Sequence, residues 1–233
     1  MDINKLKKMV YEENLNLVKN DLVVLTWGNV SMADRKLGVF VIKPSGVSYE
    51  KMKPEDMVVV SLKSGKKVSG KLNPSSDTPT HFELYKKFTK INGIVHTHST
   101  FATAFAQAGK DIIPLGTTHA DTFYHAVPCV KKLSKKEIEG KYEANTGLAI
   151  IKEFNKRNMC YLETPAAILE SHGPFTWGVD AHEAVKNAVT LEAVAKMAFL
   201  TYSINPKVKK IDQYLSNKHY QRKHGKNAYY GQK

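Results

Sequence analysis

Residues 93–103 read GIVHTHSTFAT, and the rest of the chain organises itself around this stretch. Residues 94–98 form a short β-rich run. Phe101, Ala104, Phe105 and Ala108 then recur at helical spacing until Gly109 ends the pattern, so a strand is expected to pass directly into a helix. Side chains alternate along a strand, which sends His96 and His98 to one face. Two imidazoles on one rigid element form a ready pair of metal ligands, although ordinary surface histidines can share that spacing.

Upstream, Leu6, Met9, Val10 and Leu17 mark an amphipathic helix ending near Asn20. Strands are expected at residues 22–26, 39–42 and 57–62, with a turn at 63–66 before another at 67–69. Thr78 can cap a helix, Pro79 suits its first position, and Phe82, Tyr85 and Phe88 share one of its faces. Downstream, residues 143–154 form a helix with Leu148, Ile151 and Phe154 on its buried side, followed by a strand at 166–170. A long helix begins at the cap Asp180 and runs to about residue 202, with Val185, Ala188, Val189, Val194 and Met197 among its apolar residues, until Pro206 stops it. A shorter helix at about 208–215 precedes a polar tail. There is no internal repeat, Gly/Ser linker or domain boundary, so one mixed α/β domain over residues 1–233 is expected.

Composition agrees. Of 233 residues, 42% are hydrophobic and 24% charged, enough apolar material for a core and unlike a disordered chain. The 35 Lys and Arg against 22 Asp and Glu leave a formal charge of +13, which raises the question of a polyanionic partner. The lysines are scattered, which describes a basic surface and not a nucleic-acid groove. Cys129 and Cys160 stand in no metal-ligand or disulfide spacing. The N-terminal segment is broken by charges every few residues, and no run approaches the roughly 20 apolar residues that span a bilayer. A cytoplasmic protein with no membrane association is expected.

Further residues offer chemistry. His172, in SHGPFTWG, follows a strand at a Gly-Pro turn, and three histidines with an open position describe a catalytic zinc site. Asp77, in NPSSDTPTH, can complete that set or simply cap the helix behind it. Ser75 and Ser76 precede the same helix; Gly28-Asn29 and Ser45-Gly46 add amides and hydroxyls, and Lys43 adds a point charge. Together these can cradle a phosphate; singly they are ordinary turns. Thr117, His119 and Asp121 fall in a polar loop that is either solvated or functional. In the tail, His219 to His224 and Tyr229-Tyr230 are either a frayed terminus or a basic, aromatic contact surface for nucleic acid.

TWGNVS, VFVIKPSGV, NPSSDTPTH, GIVHTHSTFAT, GTTHADTFY, SHGPFTWG, KHYQRKHG and NAYYGQ, in this order and nearly end to end, resemble the L-ribulose-5-phosphate 4-epimerase group of the class II aldolase family. Single motifs are shared with fuculose-phosphate aldolases, whereas GTTHAD with the Tyr-Tyr-Gly tail resembles the epimerases in particular. The resemblance implies a three-layer α/β fold with a central, mainly antiparallel sheet of nine strands flanked by helices. It implies a homotetramer with active sites shared between subunits. His96, His98 and His172, with Asp77, match the zinc ligands; manganese or cobalt can replace zinc on histidine ligands. In the aldolase branch the position of Asp77 is a Glu that acts as base. Gly28, Asn29, Lys43, Ser45, Gly46, Ser75 and Ser76 match the phosphate loops. Asp121 and Tyr230 match an acid-base pair supplied by the neighbouring subunit, and Thr117, Glu143, His219 and Arg222 line the same pocket.

The implied reaction interconverts L-ribulose 5-phosphate and D-xylulose 5-phosphate in arabinose or ascorbate catabolism. Carbon 4 carries no acidic C–H, so inversion proceeds by breaking and remaking the C3–C4 bond, with a divalent metal as electron sink and the phosphate tethered. The nearest alternative is a fuculose-type sugar-phosphate aldolase. A basic nucleic-acid-binding protein is permitted by charge and disfavoured by the motifs.

Overall fold

Strands buried on both faces build the sheet. In the computed structural model, which describes residues 1–230, the strands are β1 (Asn29–Asp34), β2 (Val39–Ile42), β3 (Val58–Ser61), β4 (Lys67–Ser69), β5 (Gly93–His96), β6 (Cys129–Val130), β7 (Ala166–Leu169) and β8 (Pro174–Gly178). They form one eight-stranded sheet among the described residues, in the order β4-β3-β2-β1-β5-β8-β7-β6. Every pairing is antiparallel except the parallel edge pair of β6 and β7. The expected mainly antiparallel sheet is present, with eight strands in place of nine.

The helices are α1 (Ile3–Lys19), α2 (Thr78–Lys87), α3 (Thr100–Gln107), α4 (Thr117–Ala120), α5 (Lys135–Glu139), α6 (Tyr142–Lys156), α7 (Ala181–Ile204) and α8 (Gln213–His224). On one face of the sheet, Phe40, Ile42, Val58, Val60, Ile94, Phe175 and Trp177 pack under α2 and α6 through Leu84, Tyr85, Phe88, Ile150 and Phe154. Intervening strand residues such as Val41, Val59 and Val95 turn to the other face, where α1 and α7 cover them. Toward β7, α3 and the later turns of α7 complete that second layer. Strand side chains that alternate between two covered faces and 3.6-residue stripes on helices therefore meet in three layers. Trp177 is fully buried, and its ring lies 5.3 Å from Phe88 and 5.4 Å from Phe154 while its indole N–H donates to the Tyr161 carbonyl at 2.7 Å.

Several expectations need correction. Residues 22–26 are not a strand. Asp21 and Leu25 take left-handed φ values of 54°, and Val24 and Leu25 stand 59% and 74% exposed. The strand lies further on, at β1, whose residues facing α2 include the buried polar Asn29 and Ser31. β8 begins at Pro174, inside the segment that reads as a turn; the first residue of a strand tolerates the missing N–H. Leu148 and Met197 are exposed, while Gly147 and Ile150 line the buried side of α6. Phe82 is half-buried, and Leu84 and Tyr85 carry the buried face of α2. The polar 117–121 loop is the one-turn α4 followed by Asp121. The final helix is shifted to α8, so the basic tail to His224 is helical and not frayed. Gly231 and Gln232 of the tail motif lie outside the described residues.

Candidate active site

The site forms where three strand ends and two helix starts converge on the α2–α6 face. His96 ends β5, with Asn29 of β1 on one side and Phe175 of β8 on the other in register. His98 follows on the continuing extended chain, and His172 sits on the tight turn between β7 and β8, where His172 N–H donates to the Leu169 carbonyl at 3.0 Å. The candidate ligand nitrogens of His96, His98 and His172 all lie within 4.8 Å of one another. His96 Nδ1 donates to the Pro174 carbonyl at 2.9 Å, which leaves Nε2 as the lone-pair atom, and His98 Nε2 faces it at 3.2 Å. The His96 ring stacks on Phe175 at 4.2 Å.

Close packing fixes this cluster. At Gly28, with φ of 97°, a Cβ would stand 2.9 Å from the His96 carbonyl oxygen; at Gly173 it would stand 2.8 Å from that of Thr97. The start of α3 is held by the Glu192 carboxylate of α7, which accepts from Phe101 N–H at 2.8 Å and Ala102 N–H at 2.9 Å. That clamp steadies the turn carrying His98.

Electrostatics suit a cation. Burial pushes His172 down to about 3, with His96 and His98 reinforcing it, and burial also lowers His98. Both imidazoles are therefore neutral at neutral pH. Burial alone would raise Asp77, but the neighbouring His96 and His81 and the Asn29 hydrogen bond hold it below its ordinary value. Three converging imidazoles beside an ionised carboxylate fit a divalent metal. Asp77 does not cap α2 with its side chain; its carboxylate accepts from Asn29 Nδ2 at 2.7 Å and Ser75 Oγ at 3.4 Å, and it is not one of the tight histidine group.

A cavity of about 610 Å³ opens beside the histidines, lined also by Gly28, Asn29, Lys43, Ser45, Gly46, Ser75, Ser76, Asp77 and Glu143. The two loops at its far side are tied together: Ser75 N–H donates to the Lys43 carbonyl at 2.9 Å and Ser45 N–H to that of Asn73 at 3.0 Å. Lys43 is 2% exposed, and its ammonium donates to the Val47 carbonyl at 2.9 Å and sits 4.8 Å over the Tyr49 ring. No carboxylate pairs with it among the described residues. Burial lowers its pKa to about 8, leaving a mostly charged group at neutral pH.

Asp121, Thr117, His219, Arg222 and Tyr230 do not line this cavity. Four of them gather elsewhere. Asp121 accepts from Arg222 Nη2 at 2.8 Å, Arg222 Nε at 3.1 Å and His219 Nδ1 at 3.0 Å, and the Arg222 guanidinium lies 4.6 Å over the Tyr230 ring. Thr117 opens α4, whose backbone binds Asp121 N–H at 2.9 Å. Burial raises Asp121, and the Arg222 and His219 hydrogen bonds outweigh it, so the carboxyl stays below its ordinary value. Tyr230 is 57% exposed. Within one chain there are thus two separate clusters. Thr26, Trp27 and Pro44, from the quoted motifs but not among the expected site residues, also line the cavity, as does Tyr142, whose hydroxyl lies 3.3 Å from His172 Nδ1. His81, fully buried behind Asp77, closes the NPSSDTPTH motif but is likewise not among the expected site residues.

The chain belongs to the class II aldolase and adducin N-terminal domain family, which matches residues 8–199. Among solved structures it is similar to an L-fuculose 1-phosphate aldolase, with 22% identity over 95% of this chain and 97% of that one and a TM-score of 0.79. YgbL from Klebsiella pneumoniae, described provisionally as an aldolase/epimerase/decarboxylase, matches with 22% identity over 94% and 99% at 0.75. An L-fuculose-1-phosphate aldolase from Thermus thermophilus matches with 23% identity over 87% and 97% at 0.65. These likenesses carry the fold. No helix among the described residues is long and apolar enough to cross a membrane.

Proposed function

We propose that this protein is a zinc-dependent L-ribulose-5-phosphate 4-epimerase, built as a single domain and acting as a cytoplasmic homotetramer. The observation that carries the reading is the three-histidine group opening into the same cavity as the Lys43, Ser45, Gly46, Ser75 and Ser76 loops. His96, His98 and His172, with Asp77 alongside, would hold the metal. A divalent cation held there would supply Lewis-acid stabilisation of the electron pair released when C3–C4 breaks.

The chain's own groups handle the rest. The loops and the Lys43 charge grip the phosphate, so the two-carbon aldehyde stays bound while it turns its opposite face to C3. The C4 oxygen must lose its proton before cleavage and regain one after re-addition from the other side. Asp121 and Tyr230 of a neighbouring subunit would serve the two faces. Arg222 and Lys223 each lie 4.6 Å over the Tyr230 ring, and hydrogen bonds from Arg222 and His219 keep Asp121 ionised. A phosphorylated sugar does not cross membranes unaided, in keeping with a cytoplasmic site of action.

A fuculose-type aldolase is the second reading, favoured by the named structural likenesses. Against it stands Asp77, shorter than the Glu base of that branch and with its carboxylate engaged by Asn29. Asp121→Asn and Tyr230→Phe variants test the assignment: each is expected to lose epimerase turnover with zinc content intact. Normal turnover by both would remove the two-face scheme.

A further inference from the structure

His172 differs from its partners in how its ring is held. His96 is anchored through Nδ1 to the Pro174 carbonyl and stacked on Phe175. The backbone at His172 is fixed, with Ser171 at a left-handed φ of 63° and the turn closed by Leu169 N–H donating to the Gly173 carbonyl at 3.0 Å. Its ring, however, has one hydrogen-bonding neighbour among the described residues: the Tyr142 hydroxyl, 3.3 Å from Nδ1. The two rings lie 6.1 Å apart. Tyr142 is the first residue of α6, held against α2 by the Thr80 hydroxyl donating to the Glu143 carbonyl at 2.6 Å. Its position is therefore set by the helix layer and not by the histidine turn.

We propose that Tyr142 is a positioning residue for the metal centre, accepting the Nδ1 proton of His172 so that Nε2 is the atom offered to the metal. The proposal rests on the metal-site reading above. A ligating histidine whose second nitrogen is bonded has its tautomer and ring plane fixed, and loss of such a partner typically weakens metal binding about 10- to 100-fold. The same choice of atom follows at His96, where the Pro174 carbonyl takes Nδ1. Two histidines would then present Nε2 for the same physical reason, one bonded to the chain's backbone and one to a tyrosine that also lines the substrate cavity.

The test uses the full-length protein loaded with zinc, and separately with cobalt. Tyr142→Phe is expected to release zinc to a chelator roughly tenfold faster than wild type. It is also expected to shift the visible absorption of the cobalt form and to recover most of its turnover when zinc is supplied in excess. Zinc release at the wild-type rate with an unchanged cobalt spectrum would overturn the proposal. If wild type itself binds no zinc, the metal-site reading fails, which is a different result from a variant that matches a zinc-binding wild type. Should Tyr142→Phe not fold, the long-range nitrogen–proton spectrum of the zinc-loaded wild type decides: His172 protonated on Nδ1 supports the assignment, and protonated on Nε2 overturns it.

Discussion

His81 gives the sharpest stability prediction. It is fully buried in α2 behind Asp77, its Nδ1 lies 2.7 Å from Ser31 Oγ, and its Nε2 has no partner among the described residues. Burial pushes its pKa down from 6.5 to about 3, the nearby Asp77 opposing only in part. The unfolded chain therefore binds a proton below pH 6.5 that the folded chain refuses until about pH 3. With more protons on the unfolded state, stability falls as pH falls through this window. At pH 5.0 the gap from 6.5, at about 1.36 kcal/mol per pH unit, amounts to about 2 kcal/mol, and at pH 7.5 it is close to zero. His81→Asn keeps an amide nitrogen near the position of Nδ1 and removes the titration. Urea unfolding of wild type and variant at both pH values, at the same free zinc concentration, should show wild type losing about 2 kcal/mol more than the variant on acidification. Repulsion from the +13 charge and titration of the other histidines act on both proteins and cancel. Equal losses would refute the buried, neutral His81.

Gly28→Ala places a side chain at φ of 97° and presses on the His96 carbonyl, so it should cost about 2 kcal/mol or more in urea unfolding and weaken zinc retention. Lys43, with a pKa of about 8, is charged below that pH and neutral above it. The kcat/KM for a sugar phosphate should therefore fall on the alkaline side of about pH 8. Lys43→Met should lose that limb and raise KM roughly 10- to 100-fold, the equivalent of a 1.5–3 kcal/mol charge-assisted bond. If the two clusters meet across subunits, co-assembly of inactive His98→Ala and Tyr230→Phe chains in equal amounts should restore about a quarter of wild-type activity, because each chain repairs the half its neighbour lacks. Zero recovery in mixed oligomers would place both halves in one chain.

What the sequence made legible was whatever periodicity controls. The strands at β2, β3 and β4, the helix behind Pro79, and the Asp180 cap, which accepts from Glu183 N–H at 2.8 Å, follow from local patterns. So does the pairing of His96 with His98, whose i, i+2 spacing brings their Nε2 atoms to 3.2 Å. β1 escaped because the site takes its inward positions: Asn29 and Ser31 are polar and buried to serve Asp77 and His81, and burial there runs against hydropathy. Conversely, the Val-Val-Leu run at residues 23–25 looks like a strand and stands partly in solvent. Tyr142 carries no spacing signal, since it meets His172 across 30 residues. The Asp121–Arg222 pair spans 101 residues, and its distance from the cavity in a single chain could not be read from order along the sequence.

The most direct test incubates the zinc-loaded protein with L-ribulose 5-phosphate and separately with L-fuculose 1-phosphate, measuring D-xylulose 5-phosphate in the first and released aldehyde in the second. The account predicts xylulose 5-phosphate formation that stops on chelation and returns with zinc, with no comparable cleavage of the fuculose ester. Rapid aldehyde release from fuculose 1-phosphate with no xylulose 5-phosphate from the ribulose ester would contradict it.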